Sequence, residues 1–260
     1  MIENISSKDN KTLKLIRQLK KKNGRTDNRK FIAEGIKMVR EALVYVPQDL
    51  CCVVASNELF AKEPGLIKSC DAACGRVYLV PEFVFDELSD TDTPQGVLAV
   101  INWKDKQFNA GEGERRIVIL DGISEPGNMG TIIRTAEAIG YDGIYLMKGC
   151  TDIYAPKTVR STMGSIFRMN FKGGCTASDI DELKELGFTV IATTPSGDIA
   201  LEEYKSPEKC AIIIGNEAHG VSHEVMEKSD AGVKITMDGM AESLNAAVAA
   251  GIVMHWINLK

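Results

Sequence analysis

The sequence predicts an α/β protein, and three observations carry that prediction. From residue 117 onward, short β-branched runs alternate with helix-length segments, the pattern of a parallel sheet covered on both faces. The first hundred residues alternate less regularly, yet still read as a smaller α/β unit closed by Trp103. Near the end, residues 233–237 read as a buried strand, Asp238-Gly239 as a sharp turn and Ser243 as the N-cap of a last helix. Residues 244–256 carry no charge, and a helix so small and apolar needs close packing on several sides.

In chain order, residues 11–22 (KTLKLIRQLKKK) are amphipathic, with Leu13, Ile16 and Leu19 on one face and a stop at Asn23-Gly24. Residues 31–46 read as a second helix, ended by Pro47. A strand at 50–55, a helix near 57–73, a strand at 77–80 and a helix near 81–88 follow. A strand at 93–101 is entered through a Pro/Gly turn. In the second half, strands are expected at 117–121, 143–147, 188–194, 209–214 and 233–237. Helices are expected at roughly 129–139, 156–164, 178–187 with Ser178 as N-cap, 222–228 and 243–258. The polar, Gly-containing stretch 105–114 is the best linker. The expected division is a basic arm at 1–30, a small domain at 31–104, that linker, and a larger domain at 115–260.

Composition excludes several classes. The chain is 44% hydrophobic and 26% charged, ordinary for a soluble globular protein. No uncharged apolar run approaches the roughly 20 residues of a membrane span, and the first residues lack the apolar core of a signal peptide. Seven Cys in no disulfide or zinc spacing point to reduced thiols and a cytoplasmic location. Residues 8–30 carry ten Lys/Arg against Asp9 and Asp27, a local balance of +8, which leaves −13 elsewhere against the net −5. This basic segment reads either as a grip on a polyanion or as a solvated helix face.

Three loops leave the carboxyl ends of predicted strands, where ligands of such sheets bind. The first, 121–134, offers Asn128 as a cap for a helix starting near Met129, with Arg134 two turns along. An arginine there is either ion-paired within the fold or free to hold an anion. The second, 212–222, carries Gly215, Asn216 and Glu217. Its two histidines, His219 and His223, lack the pattern of a metal site, and no metal is expected. The third holds Ser243 and Asn245. There is no phosphate-binding G-x-G-x-x-G or Walker loop, and no G-x-S-x-G nucleophile elbow.

Taken together, PGNMGTIIRTAEAIG, IIIGNEAHGVS and ITMDGMAESLNAAVAAGI resemble the three ordered motifs of the SpoU/TrmH-type RNA ribose methyltransferases of the SPOUT superfamily. RKFIAEGIKMVREAL and DTPQGVLAVI resemble the start and end of the L30e-like substrate-binding domain often placed ahead of them. Thr236 stands where the family usually has Pro.

The resemblance implies a C-terminal trefoil knot, a homodimer, and S-adenosylmethionine held by Gly215, Asn216, Ile235, Met237, Ser243 and Leu244. It implies a working set of Asn128, Arg134, Glu217, Ser243 and Asn245. A guanidinium is a poor general base, so Arg134 is assigned to grip the neighbouring phosphate and stabilise the developing alkoxide. Glu217 is assigned to organise the site, or is simply a carboxylate at a helix start. Lys20, Lys21, Lys22, Arg25, Arg29 and Lys30 would contact RNA phosphates. Ribosomal RNA is expected over tRNA. A base methyltransferase and a non-catalytic RNA-binding protein are the alternatives.

Overall fold

The computed structural model describes residues 2–5, 9–103 and 108–259. Lys8 of the basic segment and residues 105–107 of the expected linker lie outside them. The chain forms two compact units, one from Met1–Asp105 with Asp152–Arg168, the other from Lys106–Thr151 with Met169–Lys260.

The first unit begins β1 (Ile2–Asn4), α1 (Lys11–Leu19), α2 (Lys22–Asn28), β2 (Lys30–Glu34) and α3 (Ile36–Tyr45). It continues β3 (Leu50–Ser56), α4 (Asn57–Lys62), α5 (Pro64–Cys74), β4 (Val77–Val80), α6 (Glu82–Leu88) and β5 (Val97–Asn102). The sheet order is β1-β4-β3-β5-β2, with β5 antiparallel to both neighbours.

Asn10 caps α1 by accepting from Thr12 N at 2.8 Å. The predicted stripe Leu13, Ile16 and Leu19 is fully buried, about 2 kcal/mol of transfer free energy for each side chain. The basic segment is therefore folded into the unit, not an arm beside it. Asn23-Gly24 does not end the helical region but lies inside α2. A Cβ on Gly24 would sit 2.1 Å from Gln18 O, so only glycine lets α2 start this close to α1.

The expected helix at 31–46 is a strand followed by a helix. Residues 30–34 pair with β5 over five positions, from Lys30 with Asn102 to Glu34 with Leu98. Their partner lies some seventy positions away, beyond the reach of local periodicity. The helix at 57–73 breaks at Glu63, where Pro64 takes the first position of α5.

In the second unit, β6 (Arg116–Asp121), α7 (Pro126–Ile139) and β7 (Gly143–Met147) come first. The chain then contributes α8 (Pro156–Ser161) to the first unit. It resumes as β8 (Phe171–Cys175), α9 (Ala177–Glu185), β9 (Thr189–Thr193), β10 (Ile199–Ala200), β11 (Cys210–Gly215), α10 (His223–Met226), β12 (Ala231–Lys234) and α11 (Ala246–Leu259). The seven strands are all parallel, in the order β10-β12-β9-β11-β6-β7-β8.

Segment 152–168, expected within the larger domain, packs in the first unit. Tyr154 sits between Phe31 and Trp103, with ring centroids 4.7 and 4.6 Å away. Arg25 Nη2 reaches Asp152 Oδ2 at 2.7 Å. The described end of the linker is packed too: Phe108 stacks edge-on against Tyr145, and Ala110 N donates to Tyr145 Oη at 3.0 Å.

Several caps differ from expectation. Thr176, not Ser178, starts α9, through a reciprocal box with Asp179. Glu125, not Asn128, caps α7, accepting from Asn128 N at 2.6 Å. Asn245, not Ser243, caps α11, accepting from Ala247 N at 3.0 Å and Val248 N at 3.3 Å. The strand expected at 233–237 ends at Lys234, and residues 235–245 run without regular structure.

Candidate active site

Strands β12, β9, β11 and β6 lie side by side and parallel, so the loops after them leave one edge of the sheet. Gly215 pairs with Asp121 at the ends of β11 and β6, which sets Glu217 opposite Ser124 and Glu125. Glu217 Oε2 accepts from Ser124 N at 3.1 Å and Ser124 Oγ at 2.9 Å. Its Oε1 accepts from Glu125 N at 3.2 Å and Asn128 Nδ2 at 2.9 Å. Asn128 Oδ1 in turn accepts from Asn245 Nδ2 at 2.9 Å. One polar chain, Glu217–Asn128–Asn245, thus ties together the three loops separated by 89 and 117 positions.

Partial burial works against the Glu217 charge, but donation by Asn128 and by the backbone of this loop set outweighs it and holds the carboxyl at about 2. Glu217 is therefore an ionised organiser rather than a proton shuttle at neutral pH. A folded pKa below the unfolded one, about 4.3, contributes stability above that value and loses it as pH falls toward 2. The Glu217→Gln variant should accordingly show a shallower acid unfolding profile between about pH 4.5 and 2. It should also lose about tenfold in activity, since an amide cannot accept four donors. An unchanged acid limb would remove Glu217 from this role.

Two expected cofactor residues also shape the loop itself. A Cβ on Gly215 would lie 2.2 Å from Val221 N, so only glycine admits the loop's own return here. The Asn216 side chain donates to Gly122 O at 2.7 Å and accepts from Ala218 N and His219 N, pinning the β11 loop to the β6 loop.

Arg134 is exposed on α7 and, among the described residues, has no hydrogen-bond or ion-pair partner. Of the two readings open in the sequence, the ion-paired one finds no partner for it among the described residues. Residues 238–245 are all exposed, with Ser243 and Leu244 among them. Among the described residues, the backbone groups of 235–244 have no backbone partner, although Thr236 Oγ1 donates to Glu202 Oε2 at 3.1 Å. Such open valences at a strand end suit a ligand bound through main-chain N–H and C=O groups, as a nucleoside with a short polar tail is. The residues present therefore fit S-adenosylmethionine.

The basic residues divide. Lys21 and Lys22 are exposed, as is Arg29, and Lys30 is half-buried. Lys20 Nζ is committed to Ser89 O at 2.6 Å and Glu87 O at 3.2 Å. Arg25 is only 4% exposed and does not face solvent at all. Its Nη1 donates to Leu19 O and Lys20 O, both at 2.9 Å, closing the end of α1, while Nε and Nη2 hold Asp152. Sequence reasoning missed this because Asp152 lies 127 positions away.

A parallel α/β sheet with three polar loops linked at its carboxyl edge is the arrangement of proteins that bind ligands at their strand ends. Residues 115–255 match the SpoU rRNA Methylase family, and residues 10–99 match an MRM3-like substrate binding domain. The chain is 33% identical to the 23S rRNA (guanosine(2553)-2'-O)-methyltransferase RlmP of Bacillus subtilis, over 98% of each chain. It is 30% identical to an uncharacterized tRNA/rRNA methyltransferase of Synechocystis, over 98% of this chain and 93% of that one. The AdoMet-bound rRNA methyltransferase from Sinorhizobium meliloti superposes with a TM-score of 0.87 at 31% identity, covering 99% of this chain and 98% of that one. The chain belongs to the SpoU rRNA methylase family.

Proposed function

We propose that this protein transfers a methyl group from S-adenosylmethionine to a ribose 2′-OH of ribosomal RNA. The observation that carries the reading is the Glu217–Asn128–Asn245 chain, with Arg134 further along α7 exposed and without a partner among the described residues. When bound, S-adenosylmethionine supplies an electrophilic methyl group. Arg134 donates to the phosphate beside the target ribose and to the 2′-oxygen as negative charge grows on it, a task for a group that stays protonated. Asn128 and Asn245 fix the loop positions, and the ionised Glu217 holds both the β6 loop and Asn128 in register. The Ser243 hydroxyl and the open backbone of residues 235–244, with Ile235, Met237 and Leu244, form the cofactor's side of the site.

The second unit, with residues 115–151 and 169–260, carries the chemistry, and the first unit, whose residues 10–99 match the substrate-binding family, binds the RNA. Homodimerisation belongs to the same reading: Val248, Ile252 and Leu259 leave a face of the otherwise apolar α11 exposed. So does the C-terminal trefoil knot. Seven free cysteines suit a reducing cytoplasm.

The test is transfer of labelled methyl to bulk ribosomal RNA and, separately, to tRNA, with digestion to nucleosides. A 2′-O-methyl nucleoside from the ribosomal pool is the expected result; label on a base would sink the ribose mechanism, and label in tRNA alone would reassign the substrate. The exposed Lys21 and Lys22 should contact phosphates. Removing both is expected to weaken RNA binding and to flatten the salt dependence by about 0.7 to 0.9 log units per lost contact. Binding with an unaltered salt slope would clear them of that role.

A further inference from the structure

The sheet of the second unit continues past β6 to β7, whose loop has no part in the methyl-transfer site described above. β7 runs parallel to β6, with Leu120 opposite Leu146, so residues 148–151 leave the same carboxyl edge as the site loops. They are fixed to the β6 loop. Thr151 N donates to Ile123 O at 2.8 Å, and the Cys150 thiol to Leu120 O at 3.1 Å. A Cβ on Gly149 would stand 3.6 Å from Gly122 Cα, and Gly122 O accepts from Asn216 Nδ2 of the β11 loop.

Lys148 opens this loop and is exposed. Four Lys and Arg side chains of the second unit lack a hydrogen-bond or ion-pair partner among the described residues: Arg134, Lys148, Lys205 and Lys234. Lys205 precedes segment 206–208, where Pro207 O and Glu208 O accept from Arg116 at the start of β6, the opposite edge of the sheet. Lys234 ends β12, the strand that leads into the cofactor's loop. Lys148 is the one at the carboxyl edge on the far side of β6 from β12. The acid nearest to it in sequence, Asp152, is taken by Arg25 Nε and Nη2.

We propose that Lys148 is a second phosphate grip for the substrate RNA, holding the target strand on the β7 side of the site while the cofactor occupies the β12 side. The inference rests on the ribose-methylation reading above. The ribose to be methylated is tethered through a phosphate on each side, and a single cation holds only one of them. A loop bonded to the β6 loop, and through Gly122 to the β11 loop, gives the second cation a fixed base. An ammonium on a four-carbon stem meets a phosphate as a point charge, without the two parallel donors of a guanidinium. Lys148 makes this contact before and during transfer alike, so it contributes uniform binding rather than rate. Arg134, aimed at charge that grows only in the transition state, contributes rate.

The test measures binding and transfer separately, with the full chain, S-adenosylmethionine and bulk ribosomal RNA. Lys148→Ala should raise the half-saturating RNA concentration about tenfold at low salt, the loss for one charged hydrogen bond, and leave kcat within about twofold. The slope of log affinity against log salt should become shallower by about 0.7 to 0.9. Lys148→Arg should restore both. Lys205→Ala, an equal change of charge at the opposite edge, should alter neither. Cofactor affinity and melting temperature should match the parent in all three variants, because the Lys148 ammonium bonds to nothing among the described residues. An unaltered salt slope in Lys148→Ala, an equal loss in Lys205→Ala, or a fall in kcat with KM unmoved would overturn the proposal. A parent that binds the RNA without methylating it would unseat the ribose reading, and the salt slope would still judge Lys148.

Discussion

Replacing Arg134 by Ala is expected to lower methyl transfer by about a hundredfold to a thousandfold, the range for losing a fixed donor aimed at developing negative charge. Affinity for S-adenosylmethionine and the melting temperature should stay where they were. Stability is untouched because the guanidinium is exposed on α7 and, among the described residues, bonds to nothing. Arg134→Lys should recover only part of the rate, since an ammonium cannot present two parallel donors to a phosphate. Single-turnover transfer, cofactor titration and a thermal melt separate the possibilities. A clear fall in melting temperature, or loss of cofactor binding together with activity, would make Arg134 a structural residue.

Arg25→Ala should do the reverse, destabilising the first unit by about 3 kcal/mol without removing an RNA contact. The substitution strips donors from Leu19 O and Lys20 O at the end of α1 and leaves the Asp152 carboxylate, itself 15% exposed, without its cation. Breaking one partner of a buried pair costs more than exchanging both, so Arg25→Met combined with Asp152→Leu should recover much of the loss. Urea unfolding of the parent and the two variants measures this. RNA affinity of the folded Arg25→Ala protein is expected to match the parent; a drop in affinity at unaltered stability would return Arg25 to the phosphate contacts.

The contrast between these two arginines shows what was legible in the chain. Both were singled out as cations near a polyanion, and nothing within a few positions of either distinguishes them. Arg25 is turned inward by a carboxylate 127 positions away, and Arg134 is left outward because no such partner meets it. The site loops were easier, because Gly and polar residues after β-branched runs mark strand ends wherever they occur. Glu217, Asn128 and Asn245 could each be named on that ground. That they join in one hydrogen-bonded chain could not, since strands adjacent in this sheet are distant in sequence. Short or glycine-bearing strands were missed for a related reason. β8 has two glycines and pairs with β7 alone, and β10 is only two residues long, so neither carries a periodic apolar signal.

By itself the sequence determined the α/β class, most strands of the parallel sheet, the amphipathic α1 and the three loops of the site. These are set by spacing, side-chain shape and turn chemistry over a few residues, the range in which local physics decides. Only the tertiary structure decided that residues 30–34 are a strand, that segment 152–168 belongs to the first unit, and that Gly215 makes room for the protein's own backbone. Each of those outcomes rests on a contact whose partner is far along the chain, where burial and pairing energies override local preference.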